Sequence, residues 1–133
     1  MSILVTGGCG FIGSNFLIDW HDHNEELTIN LDLLTYSGNP ENLLTISNNS
    51  NYIFKKGDIS DSILIKSILE EYQPRAIIHF AAESHVDRSI LGPSEFIQTN
   101  IFGTFNLLEC ARDYWEKLSI TERQKFRFFH LLS

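Results

Sequence analysis

Short apolar runs rich in Val, Ile and Phe alternate along the chain with longer segments of helical period, the pattern of repeated strand-helix units that build a parallel sheet. Strands are predicted over residues 3–6, 27–32, 52–56 and 76–80, and a first helix starts near Phe11. Residues 35–51, rich in Ser, Thr, Asn and Gly, read as a long surface connection with a short helix around 41–46. A helix over about 61–72 carries its buried face on Ile63, Leu64, Ile68 and Leu69, with Ser60 or Asp61 as N-cap and Pro74 as its stop. The 76–80 strand is apolar except for His79, as a strand covered on both faces must be. A long helix over about 93–115 follows, and 126–132 reads as a fifth, buried strand running to the end of the sequence, so the fold reads as cut short. The expected architecture is a doubly wound α/β parallel sheet of about five strands in the order 3-2-1-4-5, truncated after the fifth.

A length of 133 residues suits one domain over 1–133, large enough for its own core. With 43% apolar and 20% charged residues, the composition excludes disordered, collagen-like and low-complexity chains. No run approaches the ~20 apolar residues of a membrane span, and Met1-Ser2-Ile3 does not open a signal peptide, so a soluble cytoplasmic protein is expected. Ten basic against 17 acidic residues give a net charge of −7, scattered along the chain, which disfavours broad nucleic-acid binding. Cys9 and Cys110 are expected to be free thiols.

The strongest chemical signal is Thr6-Gly7-Gly8-Cys9-Gly10-Phe11-Ile12-Gly13, between the first strand and the first helix. It fits a Gly7-x-x-Gly10-x-x-Gly13 spacing and also Gly8-x-Gly10-x-x-Gly13. Glycines there allow a tight turn, a close backbone approach to a pyrophosphate, and close helix-strand packing. Asp32 ends the second strand about 20 residues past the last glycine, where a carboxylate binds the adenosine ribose. Its charge would repel a 2′-phosphate and no Arg or Lys stands beside it, so NAD is favoured over NADP as cofactor. Gly57-Asp58-Ile59 closes the third strand, either against an adenine edge or as a simple turn. Beyond the fourth strand, small Ala81 and Ala82 leave room for a cofactor, and Ser84, His85, Asp87 and Arg88 either bind a substrate or anchor a loop. Two matches are read as accidental. Tyr52-x-x-x-Lys56 has the spacing of a catalytic Tyr-Lys pair but lies along a strand, where four residues span roughly 13 Å. His21-x-His23 has no third ligand candidate beside it, and no metal site is expected.

These residues resemble the extended short-chain dehydrogenases and, within them, the dTDP-glucose 4,6-dehydratases of nucleotide-sugar metabolism. The resemblance rests on Ile3-Leu4-Val5-Thr6-Gly7-Gly8 with Gly10-Phe11-Ile12-Gly13-Ser14-Asn15-Phe16, and on Leu34-Thr35-Tyr36-Ser37-Gly38-Asn39. Gly57-Asp58-Ile59, Thr99-Asn100-Ile101 with Gly103-Thr104, and above all the run from His79 to Ser89 carry it further. It implies pyrophosphate binding by backbone at Phe11 and Ile12 beside Gly7, Gly10 and Gly13. The adenosine half then falls to Asp32, Leu33, Leu34, Thr35, Asp58 and Ile59, and the path to the nicotinamide to Phe80, Ala81, Ala82 and Thr99. Ser84 would face the sugar nucleotide. Ser133 resembles a substrate-contacting threonine, with Leu132 in place of the usual preceding serine, or that serine itself after a one-residue slip.

The implied reaction is redox-neutral: a hydride passes from C4 of the glucose to NAD+, water is lost across C5 and C6, and the hydride returns to C6. The Tyr-Lys and Asp-Glu pairs that the family uses for these steps lie outside the 133 residues, so no catalytic residue is assigned and the isolated chain is expected to be inactive. A sister nucleotide-sugar epimerase or decarboxylase, or a non-catalytic NAD-binding module, remain the alternatives. In the 93–115 helix, Phe96, Ile97, Ile101, Phe105, Leu107, Leu108 and Trp115 cover more than one face. The surplus implies a second partner surface, and the resemblance makes it a homodimer contact, in competition with aggregation through an apolar edge at 126–132.

Overall fold

The structure, a computed structural model, describes residues 1–34, 39–80 and 93–131, and of 93–99 the backbone alone. Strands β1 (Ser2–Thr6), β2 (Leu27–Asp32), β3 (Tyr52–Lys56), β4 (Ala76–Phe80) and β5 (Arg127–Leu131) form one sheet in the order β3-β2-β1-β4-β5. Every neighbouring pair is parallel, as the strand-helix alternation predicts. The chain winds outward from β1 in both directions, so the helices fall on both sheet faces.

That winding divides the core in two. One layer, under α2 (Ser62–Tyr72) and α3 (Pro93–Glu116), holds Leu4, Ile29, Leu31, Ile65, Ile77 and Leu107. The other, under α1 (Phe11–His23), holds Ile3, Val5, Leu17, Ile78 and Phe80. Successive side chains of a strand point to opposite faces, so β1 and β4 are buried at every position.

Three expectations are corrected, and one element went unread. Helix α2 starts at Ser62, with the Asp61 carboxylate accepting from Leu64 N at 3.1 Å, and its buried stripe runs through Ile65, Ile68 and Leu69. Ile63 lies on the side of the helix opposite that stripe and is 84% exposed. The helix closes on Gln73 in the left-handed region, whose N–H reaches Leu69 O, with Pro74 next. The short helix at 41–46 is a 3-10 turn, Pro40–Leu43, with Asn39 Oδ1 accepting from Glu41 N; Leu43 and Ile46 plug the α1 layer. β5 lies at the expected edge of the sheet but is not buried: Phe128 reaches the core, while Phe129 and Leu131 on the other face are exposed. Leu132 lies outside the described residues. Finally, α4 (Ile120–Lys125) was legible but unread, because Ser119 and Glu122 form a capping box. Among the described residues no helix is long and apolar enough to cross a membrane.

Candidate functional site

The site starts where β1 runs out. Gly7 adopts φ +75°, and its N–H continues the β1–β2 ladder to Leu31 O at 2.9 Å. A Cβ here would lie 2.4 Å from the Phe80 carbonyl oxygen, so only glycine lets the turn pass against the end of β4. A Cβ at Gly13 would lie 2.6 Å from Gly7 O and 2.8 Å from Gly8 Cα, so the first turn of α1 sits directly on the glycine loop. Gly10 is the N-cap and offers no side-chain cap, and the first turn holds no acidic residue. The N–H groups of Phe11 and Ile12 therefore have no acceptor from their own helix and carry the positive end of its dipole. Both side chains are exposed. An anion is the natural partner of such a helix start.

β2 holds the loop from the side. Asp32 Oδ2 accepts from Cys9 N at 2.8 Å and Oδ1 from Leu34 N at 2.8 Å. The expected ribose-binding carboxylate thus also pins the glycine turn. Leu33 is exposed, and Leu34 sits in the left-handed region at φ 61°. Two residues back on the same face, Asn30 Oδ1 accepts from Gly8 N at 3.0 Å. Cys9 is a free, buried thiol; burial, then the Asp32 charge, pushes its pKa up to about 12, which removes it as a nucleophile. Its carbonyl ties the loop to the 3-10 turn by accepting from Asn39 N and Asn42 Nδ2, each at 3.1 Å.

At the carboxyl end of β3, Gly57 N donates to Asp32 O at 3.1 Å, and Asp58 Oδ1 accepts from Ser60 N at 2.9 Å, the turn arrangement that the sequence left open. Ile59 is wedged against Gly103 of α3, where a Cβ would lie 2.7 Å from Ile59 Cγ1, and its carbonyl accepts from Asn106 Nδ2 at 2.7 Å. Phe80 is buried at the end of β4 with its ring on Phe16. Thr35, Ala81, Ala82, Ser84 and Ser133 lie outside the described residues, as do His85, Asp87 and Arg88, and Thr99 is described only as backbone of α3. Among the remaining assigned residues, the fold gathers Gly7, Gly10, Phe11, Ile12, Gly13, Asp32, Leu33, Leu34, Asp58 and Phe80 along the carboxyl edge of the sheet.

The accidental matches resolve into local contacts. The Tyr52 hydroxyl accepts from Asn30 Nδ2 at 3.0 Å and is pushed up to about 12 by burial, the wrong direction for a catalytic phenol. His21 Nε2 bonds Thr28 Oγ1 at 2.7 Å, whereas His23 Nδ1 donates to Asp19 O at 2.9 Å. Among the described residues no group of three or more His, Cys, Asp or Glu gathers as metal ligands would. Asn30 escaped the sequence reading, although polar Thr28, Asn30 and Asp32 at period two on a central strand were a visible signal.

A parallel sheet wound both ways from a glycine turn that opens a helix defines the Rossmann-type class seen in extended short-chain dehydrogenases. The family model for GDP-mannose 4,6 dehydratase matches residues 4–133, and the chain belongs to that family. Over 128 residues it is 53% identical to a dTDP-glucose 4,6-dehydratase of Xanthomonas campestris, covering 96% of this chain and 36% of that relative. The crystal structure of dTDP-glucose 4,6-dehydratase from Bacillus anthracis in complex with NAD superposes with a TM-score of 0.78 at 38% identity, over 98% of this chain and 36% of that one. UDP-glucose 4-epimerase from Thermotoga maritima, with UDP-glucose, gives 0.72 at 36% identity, over 86% and 35%. The chain therefore spans little more than a third of the length of the relatives it matches.

Proposed function

We propose that residues 1–133 form the NAD-binding domain of a cytoplasmic dTDP-glucose 4,6-dehydratase that makes the 4-keto-6-deoxy sugar. The single observation that carries the reading is the uncapped start of α1 packed, through Gly13, onto a glycine turn pinned by Asp32. The cradle suits a dinucleotide because Gly7 and Gly13 let the turn, the end of β4 and the first turn of α1 pack backbone to backbone, beside a helix start with no side-chain cap. The Phe11 and Ile12 N–H groups hold the pyrophosphate, Asp32 the adenosine ribose, and Phe80 the path toward the nicotinamide. When bound, NAD supplies the hydride acceptor for the sugar. The greater identity to a dehydratase than to an epimerase supports the dehydratase reading over its sister.

Calorimetry tests the cofactor. NAD is expected to bind at least tenfold more tightly than NADP. Asp32→Ala removes a charged acceptor worth about 1.5–3 kcal/mol, which weakens NAD roughly ten- to hundredfold. Asp32→Asn keeps an acceptor for Cys9 N–H but loses the charge, so it isolates the rejection of the 2′-phosphate: NADP should gain on NAD. Equal affinity of the unaltered chain for both dinucleotides overturns the assignment. The isolated chain is proposed to bind without turnover, since its Tyr52 and Lys56 lie along β3. A 4-keto product formed from dTDP-glucose by purified 1–133 would refute that part.

We further propose a homodimer through α3. Leu107, Cys110, Ala111 and Tyr114 face the core, whereas Ile101, Phe102, Phe105, Leu108 and Trp115 are 38–65% exposed. Positions 101, 105, 108 and 115 recur at the spacing of a helix-helix seam. Light scattering is expected to show a dimer that Phe105→Glu converts to monomer; a monomeric parent chain, or a dimer indifferent to Phe105→Glu, removes α3 as the contact.

A further inference from the structure

We infer that Asn30 is a positioning residue, which fixes the glycine turn by accepting the Gly8 N–H while Tyr52 and Cys9 hold the other end of its amide. The inference rests on the dinucleotide reading above. Asn30 lies in the middle of β2 and is fully buried, on the sheet face shared with Ile3, Val5 and Leu17 rather than with its neighbours Ile29 and Leu31. An amide in an apolar layer persists only if its hydrogen-bonding groups are met. Here they are: Oδ1 accepts from Gly8 N at 3.0 Å, and Nδ2 donates to the Tyr52 hydroxyl at 3.0 Å and to Cys9 Sγ at 3.4 Å.

The orientation of the amide follows from its partners. A backbone N–H can only donate, so the carbonyl end must face Gly8; turned over, the amide would set Nδ2 against that N–H, donor to donor. Asn30 and Asp32, two residues apart on one strand face, then take two consecutive loop N–H groups, those of Gly8 and Cys9. Both are directed into β2, and the donors left for a pyrophosphate are those at the start of α1. Asp32 is half-exposed and charged, so it has a second use at the ligand; Asn30 is neutral and enclosed, and acts only through the turn. It touches no ligand and is not a catalytic residue. Leucine has nearly the same shape as asparagine but no acceptor, so Asn30→Leu leaves the Gly8 N–H buried without a partner.

The test is calorimetric NAD titration together with amide hydrogen exchange of the 133-residue chain, as Asn30→Leu, Tyr52→Phe and unaltered. Losing the acceptor of a buried donor is expected to weaken NAD roughly tenfold in Asn30→Leu. In the same variant the Gly8 amide should exchange about tenfold faster relative to Leu4 and Val5 of β1, a local signature that general destabilisation does not produce. NAD affinity within twofold of the unaltered chain, or a Gly8 amide that keeps pace with Leu4 and Val5, overturns the positioning role. If Asn30→Leu does not fold, Tyr52→Phe decides: threefold weaker NAD with faster Gly8 exchange is expected, and no change in either overturns the inference. An unaltered chain that does not bind NAD sinks the dinucleotide reading instead, and the exchange of Gly8 in the variants still decides whether Asn30 holds the turn.

Discussion

Gly7→Ala is expected to cost this chain on the order of 3 kcal/mol of stability and to lower its thermal midpoint by roughly 10 °C. Two effects add at this position. A residue with a Cβ pays about 1–2 kcal/mol to hold the left-handed conformation that Gly7 adopts at φ +75°. The new methyl would also lie 2.4 Å from the carbonyl oxygen of Phe80, which is backbone inside the sheet and cannot swing away. Relief requires β1 to part from β4 at the point where the winding order reverses, which strains the Gly7 N–H to Leu31 O bond and the contact between Thr6 and His79. Gly57→Ala supplies the control: its Cβ would meet Leu64 Cδ2, the far end of a half-buried side chain that is able to shift, and its backbone is not left-handed. Gly57→Ala should therefore cost clearly less. Urea unfolding of both variants is the check, and a loss below about 1 kcal/mol in Gly7→Ala would contradict the close passage of the turn against β4.

The parts of the fold that were legible in the sequence were those in which one physical requirement dominated. β2, β3 and β4 are runs of β-favouring residues closed by Asp, Gly or Ala, and they fall where the pattern predicts. In α2 the Asp61 cap, Ile68 and Leu69 were read correctly and Leu64 packs half-buried on the core; Ile63 was included although it lies about 200° round the helix from Ile65, which the core takes instead. β5 was judged by its Phe-rich composition, yet burial of an edge strand depends on what covers it. At the site, the glycine spacing and the distance to Asp32 are properties of a single strand-helix-strand unit and could be read directly. The second use of Asp32, holding Cys9 N–H, and the Gly8 bond of Asn30 depend on how β2 sits against the loop, a tertiary fact no local pattern carries.

His79 shows the same limit and makes the stability of the chain depend on pH. Its Nδ1 bonds Thr6 Oγ1 at 2.6 Å, its Nε2 bonds Thr104 Oγ1 of α3 at 3.0 Å, and its ring stacks on His130 of β5 with centroids 4.8 Å apart. Burial first, and then the charge of His130, lower its pKa from 6.5 to about 4. The unfolded chain therefore takes up a proton near pH 6.5 that the folded chain refuses until about pH 4. Stability from this group is complete above pH 6.5 and drains away as the pH falls to about 4, by on the order of 3 kcal/mol. The loss does not come from broken hydrogen bonds, because both threonine hydroxyls can rotate to accept from an imidazolium. It comes from placing a charge in the core beside a second histidine. His79→Gln keeps polar contacts to Thr6 and Thr104 within reach but cannot titrate, so its unfolding free energy should be nearly level between pH 6.5 and 4.5 where that of the parent chain falls. Parallel pH profiles of the two proteins would locate the acid sensitivity elsewhere, most directly in the carboxylates. A flattened profile would place it at the junction of β1, β4 and α3, one residue from the Phe80 carbonyl against which the glycine turn is packed.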